Sequence, residues 1–175
     1  VTTGSRSGIP HTSHHRKVIN PGDAIFIELG GCYERYTAPL MRTAFKGEPP
    51  ADACSLADAT VQTLNEVLDT IKPGLTGDDV AASSGSALPL NDSEIVFHHT
   101  YGYSVGLGMP PTWADDPDLT LIRGNHVPLE SGMVFHSTIS VRRNNKYGCG
   151  ISETFLVTET GCETLTNFPR EYLYV

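Results

Sequence analysis

Chemistry in this chain begins with acidic residues set among apolar ones. Glu28 follows Ala24, Ile25, Phe26 and Ile27 and precedes Leu29, in a run bounded by Pro21-Gly22 and Gly30-Gly31. Such a run reads as a strand covered on both faces. A carboxylate in its middle either has a dedicated partner or holds a raised pKa, unless it lies at a strand end and faces water. Glu153 repeats the pattern, since alternation places it on one face with Ile151, Phe155 and Val157. Two embedded carboxylates are candidates for general acid, base or nucleophilic work. Histidines supply groups that titrate near neutral pH: His11, His14 and His15 early on, His98 and His99, then His136. His11-Thr-Ser-His14-His15 lacks the one-face spacing of a helical metal pair, so solvent-exposed histidines are the default there, and His98, His99 and His136 read equally as core or loop residues.

The elements that must carry these residues follow from periodicity. Residues 1–17 read as a strand end entering an irregular loop, strand 24–29 precedes a hairpin-like return through Tyr33 to Tyr36, and Pro39 argues against regular pairing beyond it. A helix is predicted from Asp52 to Ile71, with Leu56, Thr60, Leu64, Val67, Leu68 and Ile71 on one stripe and Lys72-Pro73-Gly74 as its stop. A shorter helix opens near Thr76 to Asp79, where Thr and Asp can cap, and residues 83–93 are loop-like. From Glu94 onward the chain reads as strands: IVFHHTYGYSVGLG, MVFHSTISV and GISETFLVT. In the middle one Val134, His136, Thr138 and Ser140 share a face that is unusually polar for a buried strand. One long helix with mostly antiparallel strands gives an α+β domain over 1–175.

Bulk properties narrow the function classes. The 175 residues suit one domain with a sizeable core. Twenty acidic against 12 basic residues leave a net charge of −8, with no basic cluster beyond Arg142-Arg143, which argues against nucleic-acid binding. No apolar run approaches the thickness of a bilayer, so no membrane partner is expected. Cys32, Cys54, Cys149 and Cys162 show no paired spacing and read as free thiols of a cytoplasmic protein. The chain opens on Val1, and a fragment of a longer, two-domain protein is the expectation.

An ordered set of motifs then adds a resemblance. Pro10-His11, the acidic strand Gly22 to Gly30, YTAPLMRT at 36–43, a helix ending in KPG, GYSVGLG at 102–108, PLESGMVFH at 128–136 and SETFLVTETGCETLT at 152–166 run nearly the length of the chain. In this order they resemble the catalytic domain of the pita-bread family, which includes methionine aminopeptidase, prolidase, aminopeptidase P and creatinase. The resemblance implies a curved antiparallel sheet with covering helices, here lacking its first helices, and a homodimer. Family metallopeptidases hold two metal ions with five side chains, whose positions fall on Glu28, Pro39, Tyr103, Thr138 and Glu153. Proline, tyrosine and threonine replace three of the ligands, so the expectation is no metal and no cofactor. Creatinase, the metal-free member, keeps a histidine matching His11, but its two glutamates fall on Met41 and Thr138.

Within the family the chain most resembles the ectoine hydrolase branch. That implies a metal-independent hydrolase opening a cyclic amidine, ectoine, to an N-acetylated diaminobutyrate. The expected catalytic residues are Glu28, His11, Glu153 and Tyr103, and the expected substrate-binding residues are Tyr36, Arg42, His99, His136 and Thr138. Tyr36, Tyr101, Phe135 and Trp113 are candidates to wall the cation by their π faces. Arg42 reads also as a structural ion-pair partner, Tyr103 as a filler of volume, and Trp113 as a loop anchor. Two alternatives stand beside this reading: a creatinase-like or Xaa-Pro dipeptidase-like hydrolase on another small substrate, and a domain that binds a ligand or partner without catalysis.

Overall fold

A computed structural model describes residues 1–109 and 111–175. The chain opens with β1 (Thr2–Thr3) and a 3-10 turn at Gly4–Gly8, then crosses an irregular segment to β2 (Ala24–Tyr33) and β3 (Tyr36–Phe45). Helices α1 (Ala51–Thr70) and α2 (Gly77–Ser83) follow, then β4 (Ile95–Phe97), β5 (Tyr103–Met109) and β6 (Thr112–Ala114). The long hairpin of β7 (Val134–Arg143) and β8 (Tyr147–Val157) leads to β9 (Cys162–Thr164) and β10 (Leu173–Tyr174). The strands form a sheet in the order β1-β2-β3-β5-β7-β8-β9, with β10, β4 and β6 attached to β3, β7 and β5. Most pairs are antiparallel; β10 runs parallel to β3. The expected α+β architecture, a mostly antiparallel sheet with covering helices, is present.

One face of the sheet is apolar and carries the core. Phe135, Ile139 and Val141 of β7 and Cys149, Ile151 and Phe155 of β8 pack with Leu56, Leu64, Val67 and Leu68 of α1. Fully burying a side chain of this size stabilises by roughly 1.5–3 kcal/mol, so this stripe anchors the helix far more than propensity does. α2 begins as the Thr76 and Asp79 spacing predicts: the Thr76 side chain accepts from the Asp79 N–H, and the Asp79 carboxylate accepts from the Thr76 N–H, a reciprocal capping box.

The opposite face is polar, which accounts for the alternation seen in β7. It is closed by a seam of hydroxyls between β3 and β8. Thr154 Oγ1 donates to the Pro39 carbonyl (2.8 Å), Ser152 Oγ accepts from the Met41 N–H (2.6 Å), and Thr43 Oγ1 pairs with Gly150. Three side chains thus do what a backbone ladder does elsewhere.

The structure corrects two strand readings. Pro39 lies inside a regular ten-residue pairing, opposite Gly30. Residues 39, 41 and 43 of β3 turn their backbone groups toward β8, so the N–H that proline lacks is missing from the seam and not from the β2–β3 ladder. β2 also continues through Gly30-Gly31 to Tyr33, and only its first residues are covered; Leu29 is exposed.

Candidate active site

A cavity of about 360 Å³ opens on the polar face. β2 supplies Phe26 and Glu28, β3 Met41, β5 Tyr103, and β7 Thr138, Ser140 and Arg142, while Ile9 to Thr12 and Phe97, His98 and Thr100 close its rim. Period-two alternation explains the convergence, because Phe26 and Glu28, and Thr138, Ser140 and Arg142, are every second residue of their strands.

Glu28 is half-buried and is the one carboxylate among the described lining residues. Burial raises its pKa, and the charges of His11 and Arg142 pull it partly back. No ion pair within 4 Å is present at Glu28 among the described residues, so its charge is balanced across space and not by contact. His11 sits exposed at the rim with φ of 51°, a left-handed conformation uncommon outside glycine. Thr12 Oγ1, also on the rim, is buried and has no protein partner among the described residues.

Behind Tyr103 lies a buried hydrogen-bond chain. His136 is fully buried, and desolvation lowers its pKa to about 3, so the ring is neutral. Its Nε2 lies 2.7 Å from Ser152 Oγ and its Nδ1 lies 2.9 Å from Tyr103 Oη. Ser152 Oγ already accepts from the Met41 N–H, and its own proton has His136 Nε2 as acceptor. Satisfying that buried hydroxyl assigns the proton of the ring to Nδ1, which donates to Tyr103. Trp113 Nε1 donates to the same phenolic oxygen at 2.8 Å. With both lone pairs engaged, the Tyr103 O–H is left to donate into the cavity. Burial raises the Tyr103 pKa, opposed by the Trp113 bond and assisted by Glu28, which keeps the phenol protonated.

Several expected residues lie elsewhere. Glu153 projects from the apolar face of β8 into an ion pair with Arg42 (2.6 Å) and accepts from Thr166, outside the cavity lining. Arg42 fills all five of its N–H donors: Nε to the Pro169 carbonyl, Nη1 to the Met41 and Ser152 carbonyls, and Nη2 to Glu153 and the Phe168 carbonyl. It has none left for a ligand. Tyr36 is 64% exposed at the outer end of the β2–β3 hairpin, and His99 is exposed beside Phe97 while its neighbour His98 lines the rim. Phe135 and Tyr101 belong to the core and Trp113 holds Tyr103, so the aromatic walls are Phe26 and Phe97 instead. The sequence reading did not single out Arg142, although extending the Thr138-Ser140 alternation by one step reaches it.

The sequence and the fold match known proteins. Residues 1–159 match metallopeptidase family M24. The chain belongs to that family. An M24 relative, ectoine hydrolase from Halomonas elongata, is 32% identical over 98% of this chain and 42% of its own length. The structure of dipeptidase PepE from Mycobacterium ulcerans superimposes with a TM-score of 0.88 at 27% identity, over 99% of this chain and 45% of that one. The X-Pro aminopeptidase from Thermotoga maritima gives 0.86 at 27%, over 99% and 47%. The M24 chain described here spans less than half the length of the curated relatives it matches.

The two-ion site that the family name implies does not fit these side chains. Of the five ligand positions, Pro39 offers a carbonyl already bonded to Thr154, Tyr103 an oxygen already accepting twice, and Thr138 a neutral hydroxyl. Glu153, expected as the fifth ligand, is turned to the opposite face of β8 and held by Arg42, so the structure does not place it at this cleft and Glu28 stands there alone. Among the described residues no group of three His, Cys, Asp or Glu is placed to hold an ion.

Proposed function

We propose that the protein carrying this chain is a metal-independent C–N hydrolase of small cyclic amidines, with ectoine as substrate. What carries the reading is Glu28, a single half-buried carboxylate in a cavity where proline, tyrosine and threonine stand at three of the expected ligand positions and Glu153 is turned away to Arg42. An amidinium is a delocalised cation with an already electrophilic carbon, so it needs a nearby anion and proton transfer more than a Lewis acid. Glu28 pairs with the ring cation and brings the oxygen nucleophile to the amidine carbon, directly or through water. Tyr103, held by His136 and Trp113, donates a hydrogen bond to the reacting centre. His11 at the rim delivers the proton to the ring nitrogen that leaves. Ring opening yields an N-acetylated diamino acid. Glu153 and Arg42 support the strands behind this site and do not touch the substrate. The 32% identity with ectoine hydrolase points to the same substrate.

The test is turnover of ectoine by the full-length protein, with and without EDTA. Unchanged turnover in chelator, and a loss of roughly 100- to 10,000-fold in Glu28→Gln, are expected. Turnover that requires added divalent metal, or binding of ectoine without turnover in the unmodified protein, overturns the proposal.

A further inference from the structure

Arg42, the arginine in the YTAPLMRT motif, is saturated, yet the cavity contains a second arginine that is not. Arg142 is 8% exposed, lines the cavity, and is the one Lys or Arg among the described lining residues. Its position is built from both sides. The guanidinium stacks over the Phe26 ring at 4.5 Å, and Nη1 donates to the Ser7 carbonyl, its one hydrogen-bonded protein partner among the described residues. Room for this comes from two glycines of β8. A Cβ at Gly148 would lie 2.1 Å from the Ser7 carbonyl oxygen and 3.1 Å from Arg142 Nη1, and a Cβ at Gly150 would lie 2.2 Å from the Phe26 ring. A buried guanidinium with one neutral partner has unused donors in a fixed fork, the arrangement that recognises a carboxylate. Across the same cavity stands Glu28, close enough to sense the arginine but without a salt bridge to it. One anion and one cation, held apart on opposite strands, complement a small molecule bearing both charges.

We propose that Arg142 is the specificity-determining residue that binds a substrate carboxylate, so that the cavity selects zwitterions over simple cations; this rests on the amidine-hydrolase reading above. Glu28 receives the cationic end, Arg142 the anionic end, and Phe26 holds the guanidinium face in place. Ser7, which precedes the His11 turn, fixes the arginine fork from the N-terminal side.

The experiment compares ectoine with 2-methyl-1,4,5,6-tetrahydropyrimidine, the same ring without its carboxylate, by calorimetry and kcat/KM on the full-length protein. The unmodified protein is expected to favour ectoine by 10- to 100-fold, chiefly in Kd and KM. Arg142→Met should lose that factor on ectoine and affect the carboxylate-free ring much less, so that the preference between the two rings collapses, while Arg142→Lys keeps part of it. Equal affinity of the unmodified protein for the two rings overturns the assignment and leaves the hydrolase reading intact, even if the variants fail to fold. So does an equal loss on both rings in Arg142→Met. Failure to bind either ring removes the hydrolase reading and this inference with it.

Discussion

The neutral, buried His136 makes a quantitative statement about acid stability. In the unfolded chain the imidazole titrates near 6.5, whereas in the folded protein desolvation lowers its pKa to about 3. Between those values the unfolded state binds a proton that the folded state does not, so stability falls as the pH drops below 6.5 and the loss stops growing below about 3. At about 1.4 kcal/mol per unit, lowering the pH from 7 to 5 costs ~2 kcal/mol, and the full loss approaches 5 kcal/mol in strong acid. His136→Gln removes this titration while keeping an amide that can bond Tyr103 and Ser152. Glu28, whose raised pKa acts in the opposite direction, is common to both proteins and drops out of their difference. Urea unfolding followed by circular dichroism at pH 7 and pH 5 reads the effect. The parent protein should lose about 2 kcal/mol more than the variant over that interval, with equal m-values. Parallel losses in the two proteins would refute a neutral, Nδ1-protonated His136, and with it the preset donor geometry of Tyr103.

Other substitutions test the supports of the site. Arg42→Met leaves Glu153 buried without its counter-ion and should destabilise by about 3–5 kcal/mol, while the double variant with Glu153→Met recovers most of that in the same urea assay. A cost below about 1 kcal/mol would mean that the pair is not the anchor of the 168–169 segment. Gly150→Ala forces a methyl group into the Phe26 ring and should cost about 1–3 kcal/mol in stability; Phe26→Leu in that background should restore part of it. A neutral Gly150→Ala would show that the platform under Arg142 is loose.

The fold and half of the site were legible in the sequence for a physical reason: periodicity reports which face of an element a residue occupies. It placed the α1 stripe, the capping box at Thr76, and the polar face of β7 that turns out to line the cavity. It located Glu28 and Thr138 for the same reason. What periodicity does not report is what stands opposite. Glu153 sits among apolar neighbours much as Glu28 does, but Arg42 meets the one while open cavity meets the other, and that difference arises from residues 111 positions apart. Pro39 misled because proline's missing N–H matters only on the side that pairs, and the choice of side is fixed by register. Arg142 stayed hidden because its role depends on glycines at 148 and 150 and on Ser7, none of which carries a chemical signal of its own.

Charge balance gives the deepest link between the changed ligand positions and the proposed substrate. An M24 site that binds two divalent ions must offset four positive charges with carboxylates, and here the described lining supplies one carboxylate and one guanidinium, a sum of zero. A buried arginine repels a divalent ion placed in the same cleft, so Arg142 and a dinuclear centre oppose each other there. A zwitterion brings no net charge, and its ends would meet one buried partner, Arg142, and one half-buried partner, Glu28. Proline at 39 and threonine at 138 put no negative charge into the cleft, Glu153 is turned away from it to Arg42, and Arg142 stacked on Phe26 brings positive charge to its wall. These features share one electrostatic direction, the one the proposed zwitterionic substrate requires, while the sheet and helix beneath them retain the M24 fold.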